Sequence, residues 1–212
     1  MISFIGGTGP EGRGLALRFA LAGEKVFIGS RDSARGIEVA EKLNDLLHTN
    51  FIEGGGNEEA SHADTIVIAT PYQAQKDILQ SLKPNLNHKT IINVIAPLTF
   101  SKSGIKAISV KDGSAALECQ KILSNSLVVS AFNNISAHDL LKKDKKIDCD
   151  VIVCGNDPNS KKTVMNLAEK IHQVRSIDGG GLENSKYVED LTALLLNINK
   201  IYNWHSSIKI TS

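Results

Sequence analysis

The chain has 212 residues, 42% of them hydrophobic and 22% charged, and a formal net charge of +1. These values are typical of a soluble globular protein, so we expect a single domain over residues 1–212. The near-zero charge argues against a nucleic-acid-binding protein, which would present a strongly basic face. No apolar run reaches the roughly 20 residues of a membrane span, and Met1 leads directly into a predicted strand. We therefore expect neither a membrane partner nor a signal peptide.

The cysteines Cys119, Cys149 and Cys154 lack C-x-x-C spacing. Such an odd set is typical of free, buried thiols in a reducing compartment, which predicts a cytoplasmic protein. The six histidines are scattered and form neither an H-x-x-H nor an H-E-x-x-H motif. We therefore predict no metal site.

The first twelve residues predict a dinucleotide-binding turn. Residues 2–5 form an apolar run typical of a buried strand, and a helical pattern begins at Arg13. Between them, Gly7, Gly9 and Gly12 have G-x-G-x-x-G spacing. In such a motif the first glycine allows the tight turn and the second lets the backbone approach a pyrophosphate. The third lets helix and strand pack closely, while N–H groups at the helix start hold the anion.

The second predicted strand, at residues 25–28, indicates which dinucleotide binds. Its tip carries Ser30 and Arg31, and Arg35 follows one turn into the next helix. A guanidinium is always charged and suits the 2′-phosphate of NADP, so we favour NADP over NAD. Two alternatives stay open: the arginines decorate a solvated loop, or Asp32 accepts from the ribose of NAD. We expect Asp32 instead to cap the helix that begins with the following residue.

Apolar segments alternate with helical patterns along the rest of the chain, which predicts an α/β fold, a doubly wound parallel sheet of Rossmann type. The further strands are predicted at 65–69, 90–95, 127–132, 151–155 and, at the sheet edge, 176–178. Helices are predicted from residue 33, at 57–63, at 75–82, at 114–123, at 160–171 and at 185–204. The first of these should turn Ile37, Ala40 and either Leu43 or Leu47 inward. Asn57 should cap the second, and Pro84 should stop the third. The glycines at 54–56 look like an anion loop without its following motif, so we assign them a structural role. Residues 101–113 show no firm pattern.

Ligands of doubly wound sheets bind beyond the carboxyl ends of the strands. Thr70, Pro71 and Tyr72 end one predicted strand, so we expect them to face the cofactor. A surface position is the alternative for Tyr72. Residues 133–137 end another strand.

Residues 160–212 form a predicted C-terminal helical extension. Its last helix carries a wide apolar stripe, with further apolar residues beside it. The stripe consists of Val188, Leu191, Leu195, Ile198 and Tyr202, and Leu194 and Ile201 lie beside it. Such a stripe serves either packing on the sheet or a surface shared by a dimer or a second-substrate pocket, and the pattern does not separate the two.

Taken together, these motifs resemble the coenzyme F420-dependent NADP reductases. The resemblance covers essentially the whole chain and rests on the segments IGGTGPEG (5–12), IGSR (28–31), TPY (70–72), VVSA (128–131), VCGND (153–157) and NSKYVEDLT (184–192). It implies a Rossmann-type homo-oligomer, expected to be a dimer, that passes a hydride between NADP(H) and a deazaflavin co-substrate without a metal.

The resemblance also implies roles for individual residues. Thr8, Gly9, Pro10 and Glu11 would wrap the pyrophosphate. Ser30, Arg31 and Arg35 would hold the 2′-phosphate. The residues implied at the nicotinamide and second-substrate end are Tyr72, Ala96, Asn133, Ile135 and Ala137.

Two positions depart from the family pattern, which has histidine at Asn133 and proline at Ser136. Both would lie where the deazaflavin stacks. Asn133 can donate to a ring carbonyl but cannot carry charge.

The motifs leave two other functions open. One is an NADPH-dependent reductase of another small acceptor, such as an imine, a flavin or a metal chelate. The other is a non-catalytic NADP-binding redox sensor. We predict no catalytic side chain, because hydride transfer between two rings needs mainly positioning and a dry pocket.

Overall fold

The computed structural model describes residues 1–102 and 104–211. Ser103, in the segment without a firm pattern, and Ser212, at the end of the predicted extension, lie outside the described residues. The strands are β1 (Ile2–Ile5), β2 (Val26–Ser30), β3 (Ile52–Gly56), β4 (Thr65–Ile68), β5 (Thr90–Asn93), β6 (Leu98–Ser101), β7 (Gly104–Ala107), β8 (Leu127–Ser130), β9 (Cys149–Gly155) and β10 (Val174–Asp178). The helices are α1 (Pro10–Leu21), α2 (Ser33–Leu47), α3 (Asn57–Ala60), α4 (Tyr72–Leu86), α5 (Ala115–Ile122), α6 (Ala137–Leu140), α7 (Pro158–Glu169) and α8 (Ser185–Tyr202), with a 3-10 turn at Leu182–Asn184.

Eight strands form one sheet in the order β10-β9-β8-β5-β4-β1-β2-β3. The six strands from β3 to β8 in that order are parallel. The chain reverses between β8 and β9, which pair antiparallel, and β10 is parallel to β9. The predicted doubly wound α/β sheet is confirmed, with the correction that it is mostly rather than wholly parallel.

Helices cover both faces of the sheet, so the central strands are buried on both sides. On one face, α1, α2, α6 and α7 pack over a core that includes Phe4, Phe19 and Phe132. The Phe19 ring lies 6.2 Å from that of Phe4 and meets that of Phe132 edge-on at 5.9 Å. On the other face, α3, α4 and α5 pack over Ile66, Ile68 and their neighbours.

Two helix ends differ from the prediction because of proline. Helix α1 begins at Pro10, three residues earlier than predicted, since a first-turn proline gives up an N–H that has no partner inside the helix. Helix α4 does not stop at Pro84 but runs on to Leu86. Pro84 there lies in the last turn, where it removes only one hydrogen bond, and Leu86 is fully buried.

Three other predictions about local structure were wrong. Asn57 does not cap its helix, because Gly56 takes the N-cap position and the Asn57 side chain bonds elsewhere. Ile37 lies 44% exposed, while Ala40 and Leu43 are buried as predicted. The segment without a firm pattern, residues 101–113, contains β7 and the last residue of β6, which pair as a hairpin; Gly104, the first residue of β7, has φ +130°. Exposed polar residues alternate weakly in that short hairpin, which is why its periodicity is hard to detect.

The glycines of β3 have the structural role predicted for them. Backbone atoms of α2 pass so close to β3 that a Cβ on Gly54 would lie 2.2 Å from the Gly36 carbonyl oxygen. Asp32 caps α2 as predicted, accepting the N–H groups of Ala34 at 3.1 Å and Arg35 at 3.5 Å. Both features fix the start of α2 beside the tip of β2.

Candidate dinucleotide and second-substrate site

The turn between β1 and α1 depends on Gly6, which precedes the predicted G-x-G-x-x-G motif. Gly6 has φ +74°, and a Cβ there would lie 2.5 Å from Cγ2 of Thr70. The tight turn therefore depends on Gly6 and not, as predicted, on Gly7. A Cβ on Gly7 would lie 2.6 Å from Cβ of Phe4, so this glycine is needed for packing on the strand.

The other two motif glycines have the surroundings that their predicted roles require. A Cβ on Gly12 would lie 2.7 Å from the backbone of Gly7, so this glycine lets α1 pack closely against the turn that follows β1. A Cβ on Gly9 would meet nothing within 4 Å. Gly9 is also the N-cap of α1, so open space lies directly before the N–H groups of the helix.

A cavity of about 720 Å³ lies along this turn, and we call it the first cavity. It brings together nine of the predicted site residues, which are Thr8, Gly9, Pro10, Glu11, Ser30, Arg31, Arg35, Thr70 and Pro71. Asn57, Asp32 and Ile78 also line it and were not predicted as site residues. A volume of this size is in the range of small-molecule sites.

Two cations lie at one end of the first cavity. Arg31 and Arg35 are exposed, and neither forms an ion pair with a carboxylate of the described chain. The Ser30 hydroxyl accepts the backbone N–H of Asp32 at 3.3 Å and is buried beside them. This end therefore offers an anion two guanidinium groups that are not engaged in an ion pair with the described chain.

Asn57 holds the glycine turn from the far side of the cavity. Its Oδ1 accepts the backbone N–H of Gly6 at 3.0 Å. Asn57 directly follows β3, so a polar residue at the tip of a parallel strand was the available sequence signal.

A second cavity, of about 530 Å³, adjoins the first. Four further predicted residues line it, namely Ala96, Asn133, Ile135 and Ala137, and Ser136 lies among them. Helix α8 and the tail after it contribute Thr192, Leu195 and His205. Leu195 belongs to the apolar stripe for which a second-substrate pocket was one of the open alternatives, whereas Thr192 and His205 were not predicted as site residues. Pro10 and Glu11 line both cavities and therefore mark where they meet.

The Asn133 side chain is already hydrogen-bonded within the protein. Its Nδ2 donates to the carbonyl of Ile95 at 3.0 Å, and its Oδ1 accepts from the Ser130 hydroxyl at 3.1 Å. Its backbone carbonyl accepts the hydroxyl of Thr192 at 2.8 Å. One N–H of the amide is left for a ligand, and these bonds fix its direction.

The wall formed by α6 is held in place by a buried arginine of α1. Arg18 donates to the carbonyl oxygens of Leu140 at 2.8 Å and Asp139 at 2.9 Å. These carbonyls lie at the end of α6, where a helix leaves its acceptors without internal partners. Arg18 thereby joins the helix behind the first cavity to the wall of the second.

Three predicted residues lie outside both cavities. Gly7 and Gly12 act in the packing just described. Tyr72 begins α4 and donates its phenol to Oε2 of Glu118 at 3.1 Å, away from the cavity walls. Burial, and to a smaller extent that carboxylate, raise the pKa of Tyr72.

Two buried polar atoms of the first cavity have no hydrogen-bond partner within the described residues. They are Oε1 of Glu11 and Oγ1 of Thr70. Burial raises the pKa of Glu11 to about 8, so the carboxyl is largely protonated at neutral pH. Orphaned buried polar atoms are costly unless a ligand satisfies them. Together with the open space at Gly9 and the free arginines, they fit a dinucleotide phosphate.

Nothing in the described ranges of the chain indicates a metal centre, since no three His, Cys, Asp or Glu side chains there are grouped to hold an ion. Over the same residues, no helix is long and apolar enough to cross a membrane.

Comparisons with known proteins agree with this architecture. Residues 1–97 match the family model described as NADP oxidoreductase, coenzyme F420-dependent. The chain is 40% identical to the F420-dependent NADP reductase of Methanothermobacter thermautotrophicus, over 93% of this chain and 88% of that protein. It is 36% identical to the enzyme of the same name from Methanocaldococcus jannaschii, over 100% of this chain and 98% of that one.

A solved structure from Arthrobacter sp. FB24 shares the fold with a TM-score of 0.85. The two chains are 23% identical, and the match covers 100% of this chain and 99% of that one. On the identity and coverage of the two methanogen enzymes, this chain belongs to the family of F420-dependent NADP reductases.

Proposed function

We propose that the protein transfers a hydride between NADP(H) and the deazaflavin coenzyme F420. NADP occupies the first cavity and the deazaflavin the second. The observation that carries this proposal is that the two cavities meet at Pro10 and Glu11. Two flat rings, one in each cavity, would come into contact at that junction. Family membership supports the same pair of substrates.

The chemistry of the first cavity supports the assignment of NADP to it. The open backbone at Gly9 and the free N–H groups at the start of α1, including the backbone N–H of Glu11, bind the pyrophosphate together with Thr8. Ser30, Arg31 and Arg35 bind the 2′-phosphate. The nicotinamide then extends past Thr70 and Pro71 to the junction, where NADPH supplies a hydride.

The second cavity positions the acceptor. Its walls are mostly apolar, with Ile135, Ala137 and Leu195 among them, so they exclude water from the reacting rings. The remaining amide N–H of Asn133 orients a ring carbonyl. Ala96 flanks the nicotinamide from this side. The hydride itself passes as one unit between aligned rings, so no side chain is required for that step.

The C-terminal extension, residues 160–212, has two roles in this proposal. Helix α8 closes the second cavity through Thr192 and Leu195. Its other side leaves large apolar residues exposed, among them Leu194 at 56% and Ile201 at 73%. We propose that this face forms a homodimer contact. Light scattering on Ile201→Lys, against the exposed control Lys200→Ala, tests it, and a dimer unaffected by the apolar-to-charged change contradicts it.

We also propose a cytoplasmic location. Cys119, Cys149 and Cys154 are free and buried, as predicted. Burial raises the pKa of the Cys119 thiol to about 12, which keeps it protonated and unreactive. Free thiols of this kind suit a reducing compartment.

The activity is tested by following NADPH absorbance with four acceptors in parallel, namely F420, riboflavin phosphate, an imine and a metal chelate. We expect rapid oxidation of NADPH with F420 and little with riboflavin phosphate. Turnover only with an imine, a flavin or a metal chelate would assign the protein to another reductase class. Tight NADPH binding without turnover of any acceptor would instead support a redox sensor.

A further inference from the structure

Glu11 is a carboxyl group placed at the junction of the two cavities without a partner to neutralise it. It lines both cavities, and its Oε1 is buried with no hydrogen-bond donor from the described residues. A turn that only binds phosphate could carry any residue at this position, because backbone N–H groups alone hold the phosphate there. The acidic side chain therefore needs its own explanation.

The charged groups around Glu11 do not stabilise its ionised form. Arg31, Asp32 and Arg35 lie on the walls of the first cavity, and Arg13, His138 and His205 on those of the second. None of the ion pairs in the described chain includes Glu11. Burial is the cause that raises its pKa, to about 8. At pH 7 the Glu11 carboxyl group is therefore mostly protonated and neutral.

A bound dinucleotide would hold that proton more firmly. Glu11 lies in the first turn of α1, the same helix end that faces the pyrophosphate. A second negative charge within a few ångströms disfavours ionisation of a carboxyl group. We therefore expect NADP binding to raise the pKa of Glu11 further. At a pH where Glu11 of the free protein is mostly ionised, NADP binding should be accompanied by the uptake of a proton.

We propose that Glu11 is the proton donor of the hydride-transfer site, an inference that rests on the function proposed above. A hydride moves from NADPH to a neutral acceptor, giving NADP⁺ and an acceptor with one extra negative charge. Glu11 then gives its proton to the acceptor and becomes a carboxylate. A proton taken up from the solution (H₃O⁺) then returns Glu11 to its neutral form before the next turnover. In the opposite direction the Glu11 carboxylate removes that proton as the hydride leaves.

The first test measures proton uptake with NADP⁺ alone, without a deazaflavin. Calorimetric titrations at pH 8.5 in buffers of different ionisation enthalpy count the protons bound with the ligand. At that pH the 2′-phosphate is fully ionised, so it contributes none. We expect the wild-type protein and the exposed control Glu53→Gln to take up about half a proton or more. Glu11→Gln, which keeps the side-chain shape, should take up none.

The second test compares turnover with F420 across pH. Glu11→Gln should leave the KM for NADPH within about twofold of wild type at pH 7 and lower kcat by roughly tenfold or more, in the range of general acid catalysis. Glu53→Gln should match wild type.

The outcomes separate this inference from the proposed function. No proton uptake by the wild-type protein overturns the inference, whether or not the variants fold. An unchanged kcat in Glu11→Gln also overturns it, even with the expected proton count. Failure of the wild-type protein to oxidise NADPH with F420 would overturn the proposed function, and the donor role with it.

Discussion

The side-chain oxygen of Asn57 accepts the backbone N–H of Gly6 at 3.0 Å and so joins the end of β3 to the glycine turn after β1. Gly6 is the residue with positive φ on which that turn depends. Asn57→Ala removes the acceptor and leaves the N–H unpaired at the cavity wall. We expect a loss of about 1 kcal/mol in the free energy of unfolding and a several-fold weaker NADPH affinity.

Urea denaturation and fluorescence titration with NADPH measure these two effects. The exposed Asn50→Ala is the matched control and should change neither. Equal behaviour of the two variants would mean that the bond to Gly6 does not shape the site.

Two glycines of the same turn should respond differently to the same substitution. Gly9→Val places its side chain in open space, so the fold should persist while NADPH binding is abolished. Gly12→Val places its side chain against the Gly7 backbone, and overpacking of this kind costs typically 1–3 kcal/mol. Circular dichroism melts and NADPH titrations of both variants check this. Retained NADPH binding by a folded Gly9→Val would refute the dinucleotide site.

Arg31 should distinguish the two nicotinamide cofactors. Arg31→Ala removes a guanidinium that has no carboxylate partner among the described residues, so the loss falls on the 2′-phosphate. NADPH binding should weaken by about 1.5–3 kcal/mol, the range for hydrogen bonds to charged groups. NADH lacks that phosphate and serves as the control, with nearly unchanged affinity. Equal losses for both cofactors would show that Arg31 supports the fold.

Glu189 should make stability depend on pH. Its carboxylate accepts the N–H groups of Ala115 at 2.8 Å and Ala116 at 3.1 Å, at the start of α5. Burial raises its pKa from 4.5 to about 7. Because the folded-state pKa is the higher one, the protonated form stabilises the fold, fully below pH 4.5. That stabilisation is lost as pH rises towards 7.

The variant Glu189→Gln cannot ionise, so its free energy of unfolding should lack this dependence. Between pH 4 and pH 8, the free energy of unfolding of the wild type should fall by roughly 3 kcal/mol relative to that of the variant. Denaturation at both pH values measures it, with the exposed Glu53→Gln as control. A difference that stays constant with pH would place the Glu189 pKa near its ordinary value.

Much of the fold follows from patterns that lie close together in the sequence. The strand at residues 2–5 and the glycines after it are contiguous, so their geometry could be predicted. The hairpin β6–β7 could not, because Phe100 on it is 69% exposed and its alternation is short. The end of α4 was misplaced because the burial of Leu86 outweighs the local effect of Pro84.

The same distinction applies to the candidate site: residues that lie at a predicted strand tip could be assigned, and residues whose role depends on distant parts of the chain could not. Arg31 and Arg35 flank one predicted strand tip and could be assigned from their charge. Arg13 belongs to no motif, so the sequence did not indicate that it lines the second cavity. That cavity forms only because α8 and the tail after it fold against this part of the chain. Tyr72 was assigned to the site because it follows a predicted strand. The direction of its side chain is set by a hydrogen bond to Glu118, which is far away in sequence.

The central claim is that a hydride passes directly between two rings that meet at the junction of the cavities. It is tested by reducing F420 in ordinary water with NADPH that carries deuterium at the transferred position. The account predicts that the deuterium appears in the reduced deazaflavin, as measured by mass spectrometry and NMR. Reduced deazaflavin without deuterium would mean that the hydrogen passes through water, and would contradict the direct transfer.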